Sequence, residues 1–309
     1  MRRVIVTGAT GTIGRGVVAA LRDRGDGVIA LSRDRERAAA ELSSGVEVHG
    51  WDDPTSGRPP TEALAGGDAV VHLLGEPVAQ RWSAEAKSRI RDSRVQSTRQ
   101  LVAALRELPD DQRPQVLVSQ SAVGLYGASD NRELDEQAPA GTDFLADVVS
   151  AWEQEAQAAE AVMRVVRTRT GVVLSASGGA LARTLPFFRL GVGGPVAGGR
   201  QYVPWIHLDD TVAAILFCLD QEAASGPLNL TAPTPVTNAE FSRALGRALH
   251  RPAALPVPGL ALRLLYGEMA QVVVTGQRAL PRRLLALGFR FRHLLVQEAL
   301  TDVLAHAGA

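Results

Sequence analysis

The chain has 309 residues, 46% of them hydrophobic and 21% charged, which is enough to bury one large core or two closely packed ones. Its 33 Lys and Arg residues balance 33 Asp and Glu residues, which argues against a nucleic-acid partner, whose binding needs a basic surface. One cysteine, Cys218, excludes a disulfide framework, and the absence of a leader or of an apolar run of roughly 18 residues predicts a cytoplasmic protein without a membrane partner.

The first half of the chain alternates short apolar runs with helical patterns, which is typical of a doubly wound parallel sheet. The apolar runs predict strands at about 3–7, 28–32, 46–49, 68–74, 115–120 and 164–169. The patterns between them predict helices near 12–24, 34–43, 83–107 and 143–162. Ser83 is expected to cap the third of these helices.

The second half has a different texture. After about residue 175 glycine becomes frequent, and apolar periodicity fades until about 209. A capping-box pattern at Thr237 and Glu240 opens a helix that runs to about 249, and further helices are expected near 260–274 and 294–306. The sequence therefore predicts an α/β fold of the Rossmann type. We expect a nucleotide-binding domain over residues 1–174, with a smaller, interleaved C-terminal part over 175–309 on the substrate side.

A glycine-rich loop follows the first predicted strand directly and opens a helix. Glycines there allow a tight turn and a close approach of the backbone to a pyrophosphate, which the helix N-terminus then faces. The position of the loop inside a β-α-β unit makes the signal specific. The residues assigned to the cofactor here are Gly8, Thr10, Gly11, Thr12, Ile13 and Gly14.

The end of the second strand selects the nucleotide. NAD-binding proteins place an acid there for the ribose 2′-hydroxyl, whereas NADP-binding proteins place an arginine for the 2′-phosphate. Here Ser32 stands in the place of the acid, with Arg33 beside it and Arg37 one helical turn on. Guanidinium groups suit phosphate oxygens, so we expect NADP(H), with Asp52 also in the cofactor site. The alternative is an arginine-rich composition, since Lys87 is the only lysine.

The motifs of the chain jointly resemble the extended short-chain dehydrogenase/reductases of the epimerase type. They are the glycine loop, Leu73-Leu74-Gly75 after the fourth strand, and Ser119-Gln120-Ser121 with Tyr126-Gly127 after the fifth. Trp205-Ile206-His207 and the C-terminal Gly288-Phe289-Arg290-Phe291 resemble, more narrowly, an incompletely characterised NAD(P)-binding subgroup with its own C-terminal extension. The resemblance covers nearly the whole chain. Four further residues near these strand ends are placed in the cofactor site: Leu74, Gly75, Glu76 and Ser119.

The resemblance also implies a catalytic set that this chain has only in part. It implies a Ser or Thr that binds the reacting oxygen, a Tyr that acts as general acid/base, and a Lys four residues later. That Lys lowers the pKa of the tyrosine and binds the nicotinamide ribose. The residues four after the three tyrosines are Asp130, Ile206 and Ala270, so the Tyr-Lys pair is absent. Ser121 matches the serine, and Tyr126 is the nearest replacement for the tyrosine, with packing as its alternative role.

We therefore expect an NADP(H)-binding, epimerase-like oxidoreductase with Ser121 and Tyr126 as catalytic candidates. Its partner is an unidentified small carbonyl or hydroxyl compound, bound between the Ser121 loop and the segment 185–205. An anionic group of that compound is expected to meet three arginines, namely Arg183, Arg189 and Arg200. The alternatives are a non-catalytic NADPH-binding or sensing protein and a nucleotide-sugar epimerase. The histidines show no metal-ligand spacing, so no metal is expected, and the protein is expected to be a monomer or a homodimer.

Overall fold

A seven-stranded parallel sheet forms the centre of the computed structural model, which describes residues 1–42, 44–129 and 131–306. The strands are β1 (Arg3–Thr7), β2 (Gly27–Ser32), β3 (Val46–Gly50), β4 (Ala69–His72), β5 (Val116–Ala122), β6 (Glu133–Leu134), β7 (Arg164–Thr170), β8 (Val172–Leu174), β9 (Tyr202–Val203), β10 (Trp205–His207), β11 (Gly226–Leu230), β12 (Val236–Thr237) and β13 (Arg278–Ala279). The order across the main sheet is β11-β7-β5-β4-β1-β2-β3, which is a doubly wound order that reverses at β1. The predicted Rossmann-type fold class is confirmed.

The helices cover both faces of the sheet and build the C-terminal part. They are α1 (Thr12–Asp23), α2 (Arg35–Glu41), α3 (Thr61–Leu64), α4 (Ala84–Glu107), α5 (Phe144–Gln157), α6 (Gly179–Arg189), α7 (Leu208–Asp220), α8 (Asn238–Ala248), α9 (Gly259–Tyr266), α10 (Ala270–Val274), α11 (Arg282–Ala286) and α12 (Val296–Ala305). Ser83 caps α4, and the capping box of Thr237 and Glu240 opens α8, as predicted. Within the described part of the chain, no helix has both the length and the apolar character needed to cross a membrane.

The central strands are apolar on both faces because helices cover both faces of the sheet. Val4 and Val6 of β1 pack into one core cluster with Leu21 of α1. Ile5, which points to the opposite face, packs into a second cluster with Leu101 of α4. All of these side chains are fully buried. Burial of each such side chain stabilises the fold by about 1.5–3 kcal/mol relative to leaving it exposed.

The six predicted strands are present, but the sequence did not predict the seventh, β11. Its first residues are Gly226 and Pro227, a pair that indicates a turn in sequence-based prediction. β11 lies at the edge of the sheet, where a proline is tolerated because an edge strand has fewer ladder hydrogen bonds to lose. The helix predicted near 260–274 is also interrupted, since Gly267, with φ of +62°, ends α9 before α10 begins.

Three segments that are distant in sequence meet at β11. They are residues 133–136, β11 itself and residues 278–283, and we call this region the joint. β13 pairs with β6 in a small parallel sheet. The backbone N–H groups of Asn229 and Arg283 donate to Glu136 Oε1 at 3.0 and 3.3 Å. The side-chain amide of Asn229 donates to the carbonyl of Leu280 at 2.9 Å. The joint therefore ties the sheet to the C-terminal part through buried hydrogen bonds.

Candidate functional site

The glycine loop is shaped by close backbone contacts that side chains would prevent. Gly8 has φ of +66°, and a Cβ there would lie 2.8 Å from the carbonyl oxygen of Leu73. A Cβ at Gly14 would lie 2.1 Å from the carbonyl oxygen of Gly8. These two glycines therefore allow β1, the loop and α1 to pack closely.

Gly11 has a different role, because a side chain there would meet only one neighbouring atom. It is the N-cap of α1, and no side chain satisfies the first N–H groups of that helix. A Cβ at Gly11 would meet one atom within 4 Å, the carbonyl oxygen of Gly8 at 3.3 Å. Exposed N–H groups and the helix dipole form a cradle for an anion. The loop thus fits the pyrophosphate of a dinucleotide.

The loop opens onto the crevice between β1 and β4, where the strand order reverses. Ligands of doubly wound folds bind at such a reversal, outside the carboxyl ends of the strands. Ile13 at the start of α1, Leu74 and Gly75 after β4, and Ser121 near the end of β5 line one cavity there. The structure therefore brings these predicted site residues together.

Arg33, directly after β2, has no hydrogen-bond partner among the described residues. In the described part of the chain, no acceptor lies within hydrogen-bonding distance of the exposed Arg33 guanidinium. Arg37 instead donates to Glu41 at 2.6 Å. Asp34 caps α2 by accepting from the N–H of Arg37, which commits its carboxylate to the helix. Ser32 bonds locally to the backbone of Asp34.

The remaining residues predicted for the cofactor lie around the loop or behind the crevice. Asp52 is exposed after β3. The carbonyl of Thr10 accepts from Arg15 Nε at 2.8 Å, and Thr12 lies against Gly178, where a Cβ would come within 2.2 Å of Thr12 Oγ1. Ser119 is fully buried in β5 and does not line the cavity, so the geometry gives its predicted cofactor contact no support.

The cavity at the crevice, here the inner cavity, has a volume of about 230 Å³. Its wall on the α5 side includes Leu145 and Val149, which are four residues apart and face the same space as Ser121. This is the spacing of the Tyr-Lys pair that the sequence lacks. Apolar side chains thus line α5 beside the serine, and neither can transfer a proton.

Ser121 belongs to a buried polar network. Its hydroxyl donates to Glu153 Oε1 at 2.5 Å. Arg169 holds the same carboxylate with two hydrogen bonds of 2.8 and 2.9 Å. Burial opposes the charge of Arg169, but its hydrogen bond and ion pair with Glu153 outweigh that effect and raise the pKa of the guanidinium. Ser121 therefore presents its oxygen lone pairs, and not its proton, to a ligand.

Tyr126 is part of the same network and not of the cavity wall. Its hydroxyl donates to Asn229 Oδ1 at 2.7 Å and accepts from Arg169 Nη1 at 3.0 Å. Burial raises the pKa of the Tyr126 phenol, although Arg169 opposes that shift. The ring is 2% exposed and lines neither cavity of the crevice. This geometry favours the packing role over the catalytic one.

Glu76 also lies outside the inner cavity. Its backbone N–H donates to Ser93 Oγ at 3.0 Å, and its carboxylate accepts from Gln80 at 3.3 Å. Arg89 approaches the same carboxylate at 3.9 Å. These contacts orient the loop after β4, and the cofactor contact expected of Glu76 stays a prediction.

A larger outer cavity of about 930 Å³ adjoins the inner one. The two share wall residues, among them Val78, Gly124 and Leu145. The outer cavity lies between the carboxyl ends of the sheet and the C-terminal part, and its wall carries the aromatic residues Trp82, Phe144, Tyr202 and Phe241. The expected location of a second ligand, between the Ser121 loop and the segment 185–205, stays a prediction with which this cavity is compatible.

The three arginines expected to meet an anion are not in either cavity, so that prediction is wrong. Arg183 donates to the carbonyl of Ala79 instead. Arg189 and Arg200 are exposed. They lie on segments that supply cavity walls, but sequence position does not specify on which side of a segment a side chain points.

His72 lies buried behind the crevice at the end of β4. Thr98 donates its hydroxyl proton to the carbonyl of Arg94 at 2.7 Å, so it accepts from His72 Nε2 at 3.0 Å. Nδ1 of the ring is then left to accept from the Thr7 hydroxyl at 2.8 Å. Burial lowers the pKa of His72 to about 3, so the ring stays neutral.

We expect His72 to make the protein less stable as the pH falls from 6.5 towards 4.5. Its folded pKa is depressed to about 3, whereas an unfolded histidine titrates near 6.5, so the unfolded state binds more protons in this window. The loss should approach about 1.4 kcal/mol per pH unit from this group. Denaturant titrations should show a shallower pH dependence in His72→Gln than in the wild type. Equal slopes would mean that His72 titrates normally in the folded protein.

A cluster that sequence spacing did not predict joins His207, His293 and Asp302. The two imidazole rings stack with centroids 3.7 Å apart. His207 caps α7 by accepting the N–H of Asp209 at Nδ1, which leaves its proton on Nε2, 3.2 Å from Asp302. A metal-bound histidine donates from its second nitrogen, which is the opposite arrangement. The cluster connects the start of α7 to α12, and His207 Nε2 and His293 Nδ1 lie buried in it without a hydrogen-bond partner among the described residues.

Family models and individual relatives agree with this architecture. The model of the NAD dependent epimerase/dehydratase family matches residues 4–230, and a domain of unknown function, DUF1731, matches residues 257–303. The chain therefore belongs to the NAD dependent epimerase/dehydratase family. The resemblance inferred from its motifs is confirmed.

Particular relatives extend over nearly the whole chain. An epimerase family protein of Mycobacterium bovis is 44% identical over 300 residues, which cover 96% of this chain and 96% of that protein. The chloroplastic SDR39U1 homologue of Arabidopsis thaliana is 41% identical over 301 residues, covering 97% of this chain and 86% of that protein. The crystal structure of the human epimerase family protein SDR39U1 with NADPH has a TM-score of 0.86 at 33% identity, covering 97% and 98% of the two chains.

Proposed function

We propose that the protein is an NADP(H)-dependent oxidoreductase of an uncharged, largely apolar small carbonyl or hydroxyl compound. The observation that carries the proposal is the continuity of the two cavities. The crevice that fits a dinucleotide opens past Ser121 into a second, partly open cavity large enough for a second molecule. A protein that only sensed the nucleotide would not require this cavity.

The cofactor preference rests on Arg33 and is supported by the NADPH bound in the human relative. Arg33→Ala should weaken NADPH binding by about 1.5–3 kcal/mol, the scale of a hydrogen bond to a charged group, and leave NADH binding unchanged. Arg37→Ala is the matched control, and its effect should be smaller because that guanidinium already pairs with Glu41. Fluorescence titration with both nucleotides provides the measurement. Equal losses of NADPH and NADH affinity in Arg33→Ala would refute the NADP(H) assignment.

The polarity of the outer cavity supports an uncharged substrate. Its polar side chains are largely engaged with the protein. The Gln201 amide donates to the carbonyls of Val196 and Val273 at 3.1 Å, and the Gln277 amide donates to the carbonyl of Gly127 at 2.8 Å. The remaining wall is mainly aliphatic and aromatic. Such a wall favours a ligand that gains affinity by burying apolar surface.

The charges on the same wall do not suit a nucleoside diphosphate. Asp143 caps α5, and Glu268 pairs with Lys87. Arg263, on the exposed face of α9, is the one cation on the wall among the described residues. Diphosphate groups are usually bound by several charged donors, often arginine forks. The nucleotide-sugar epimerase alternative is therefore disfavoured relative to reduction of an apolar carbonyl.

Ser121 has a defined place in the proposed reaction. Hydride carries two electrons to the carbonyl carbon, and the oxygen must then receive a proton. Because the Ser121 proton is held by Glu153, the serine oxygen would accept a hydrogen bond from a water molecule, which gives its other proton to the alkoxide. The hydroxide left behind takes a proton from the solvent, so one carbonyl, one NADPH and one solvent proton give the alcohol and NADP⁺. The reaction thus proceeds without a side-chain acid, and we expect it to be slow.

The test is single-turnover oxidation of pre-bound NADPH with a panel of apolar aldehydes, apolar ketones and nucleotide sugars. We expect apolar carbonyls to be reduced. Ser121→Ala should lower the rate by at least about tenfold, since a positioned proton transfer contributes roughly 10²–10⁴-fold. Tyr126→Phe should cost much less, because that hydroxyl packs away from the cavity. A large loss in Tyr126→Phe with none in Ser121→Ala would reassign the acid to Tyr126.

The same panel tests the non-catalytic alternative. Nucleotide binding without oxidation by any member of the panel would favour an NADPH-binding or sensing protein. Because epimerisation causes no net oxidation of NADPH, the nucleotide sugars are also incubated with the NADP⁺-bound protein, and their interconversion, detected by product analysis, would restore the epimerase alternative. The cytoplasmic location, the division at residue 174 and the monomeric or homodimeric state stay predictions from the sequence.

A further inference from the structure

Arg94 of α4 lines the inner cavity and carries a positive charge. It was not among the site residues predicted from the sequence. Its Nη1 donates to the carbonyl of Ile90 at 3.0 Å. Residues 1–42, 44–129 and 131–306 offer its other N–H groups no acceptor within hydrogen-bonding distance. The guanidinium lies 5.4 Å over the ring of Trp152 and against Gly75, where a Cβ would come within 3.0 Å of it. Arg94 therefore has free donors on the wall of a ligand-sized space.

This arrangement differs from that of the other partly buried arginines. Arg164 donates to three backbone carbonyls, and Arg169 holds the carboxylate of Glu153. Arg94 has no carboxylate within 4.0 Å among the described residues. Burial lowers its pKa to about 10, against the opposing effect of Glu76, and it stays charged at neutral pH. A partly buried charge whose free donors face a cavity can gain hydrogen bonds from a bound ligand, so a ligand is the natural partner for these donors.

The position of Arg94 matches a charge that is missing from α5. In related enzymes the resemblance implies a lysine four residues after the catalytic tyrosine, which binds the nicotinamide ribose. Val149 stands at that spacing from Leu145. Arg94 lines the same small cavity from the facing helix, and Trp152, on which its guanidinium lies, is one turn beyond Val149. A side chain at 149 and the Arg94 guanidinium thus face one space.

We propose that Arg94 supplies from α4 the cation that the absent lysine would supply from α5, and that it binds the nicotinamide ribose of the cofactor. This inference rests on the proposed function, because it requires the cofactor in the crevice. Arg94 binds and orients the cofactor but does not transfer a proton, since a guanidinium stays protonated at neutral pH. With Leu145 in place of a tyrosine, no phenol needs the charge, so binding is its whole task.

Fluorescence titration with NADPH and NADH tests the assignment without turnover. Arg94→Met should weaken both nucleotides by the same factor of roughly 10- to 100-fold, because both contain the nicotinamide ribose. Arg91→Met, an exposed position on the same helix, is the matched control and should bind like the wild type. The double variant Arg94→Met, Val149→Lys should recover most of the lost affinity, because the new ammonium enters the same space from α5.

The outcomes separate this inference from the proposed function. If the wild type binds neither nucleotide, both the proposed function and this inference are wrong. If the wild type binds both, equal affinities in Arg94→Met and Arg91→Met overturn the inference alone. If Arg94→Met loses nucleotide affinity and the added Val149→Lys does not restore it, the inference is also overturned. The charge would then not act in the space that residues 94 and 149 share. Should Arg94→Met fail to fold, Arg94→Lys must retain affinity within about threefold of the wild type, and a larger loss counts against the inference.

Discussion

Gly11→Val is expected to reduce nucleotide binding by more than about 100-fold, roughly 2.8 kcal/mol, in a protein that still folds. The reason is the difference between Gly11 and its neighbours. A Cβ at Gly11 meets only the carbonyl oxygen of Gly8, at 3.3 Å, so the unliganded protein makes room for a side chain with a shift of a few tenths of an ångström. That room is the approach that a pyrophosphate needs to the N–H groups at the start of α1. Titration calorimetry with NADPH measures the loss, and circular dichroism reports the fold.

Gly14→Ala is the informative comparison for the loop. Its Cβ would lie 2.1 Å from the carbonyl oxygen of Gly8, so this variant should lose roughly 1–3 kcal/mol of stability through overpacking. Gly11→Val should therefore affect binding, and Gly14→Ala should affect the fold as well. Retention of micromolar affinity by folded Gly11→Val would mean that the loop does not hold the cofactor.

The largest effect on stability is expected from Glu153→Ala, about 3–5 kcal/mol, because Arg169 would be left as a buried charge without its partner. Arg169 and Glu153 are 7% and 6% exposed, so water cannot replace the lost carboxylate. Urea unfolding gives the measurement. Glu155→Ala, on the same helix, removes a surface pair with Arg99 and should cost only about 0–1 kcal/mol. Similar losses in the two variants would show that the network does not stabilise the fold as described.

The sequence predicted the sheet well where burial alone decides the pattern. The runs that became β1, β4 and β5 are continuously apolar because helices cover both of their faces, and such runs are recognisable without context. β11 was not predicted because two of its residues disfavour a strand in the sequence alone. Pro227 is compatible with a strand only at the edge of a sheet, and Asn229 is compatible only beside the hydrogen-bond partners that the fold supplies. α9 and α10 were predicted as one helix, because periodicity does not reveal the turn at Gly267.

The residues of the candidate site differ in the same way. Some belong to local sequence motifs, and others come together only in the folded protein. The glycine loop is a local motif, and the structure places it at the reversal of the strand order, as predicted. The hydrogen bond between Ser121 and Glu153 joins residues that are 32 positions apart, and no pattern of residue spacing in the sequence predicts it. Arg94 lies on a helix rich in arginine, so one partly buried guanidinium among several exposed ones gives no signal in the sequence. Only the packing of α4 against α5 and the loop after β4 distinguishes it.

The joint beside β11 limits how the chain can be divided into exchangeable parts. The region matched by the epimerase family ends at residue 230, and Asn229, one residue earlier, bonds both to Tyr126 in the first half and to Leu280 in the second. Glu136 likewise accepts from Arg283, which lies beyond that end. A chimera that joined residues 1–230 to the C-terminal part of a relative would exchange one side of these buried bonds and keep the other. The two parts are therefore not modular, and substitutions at the joint must change together on both sides.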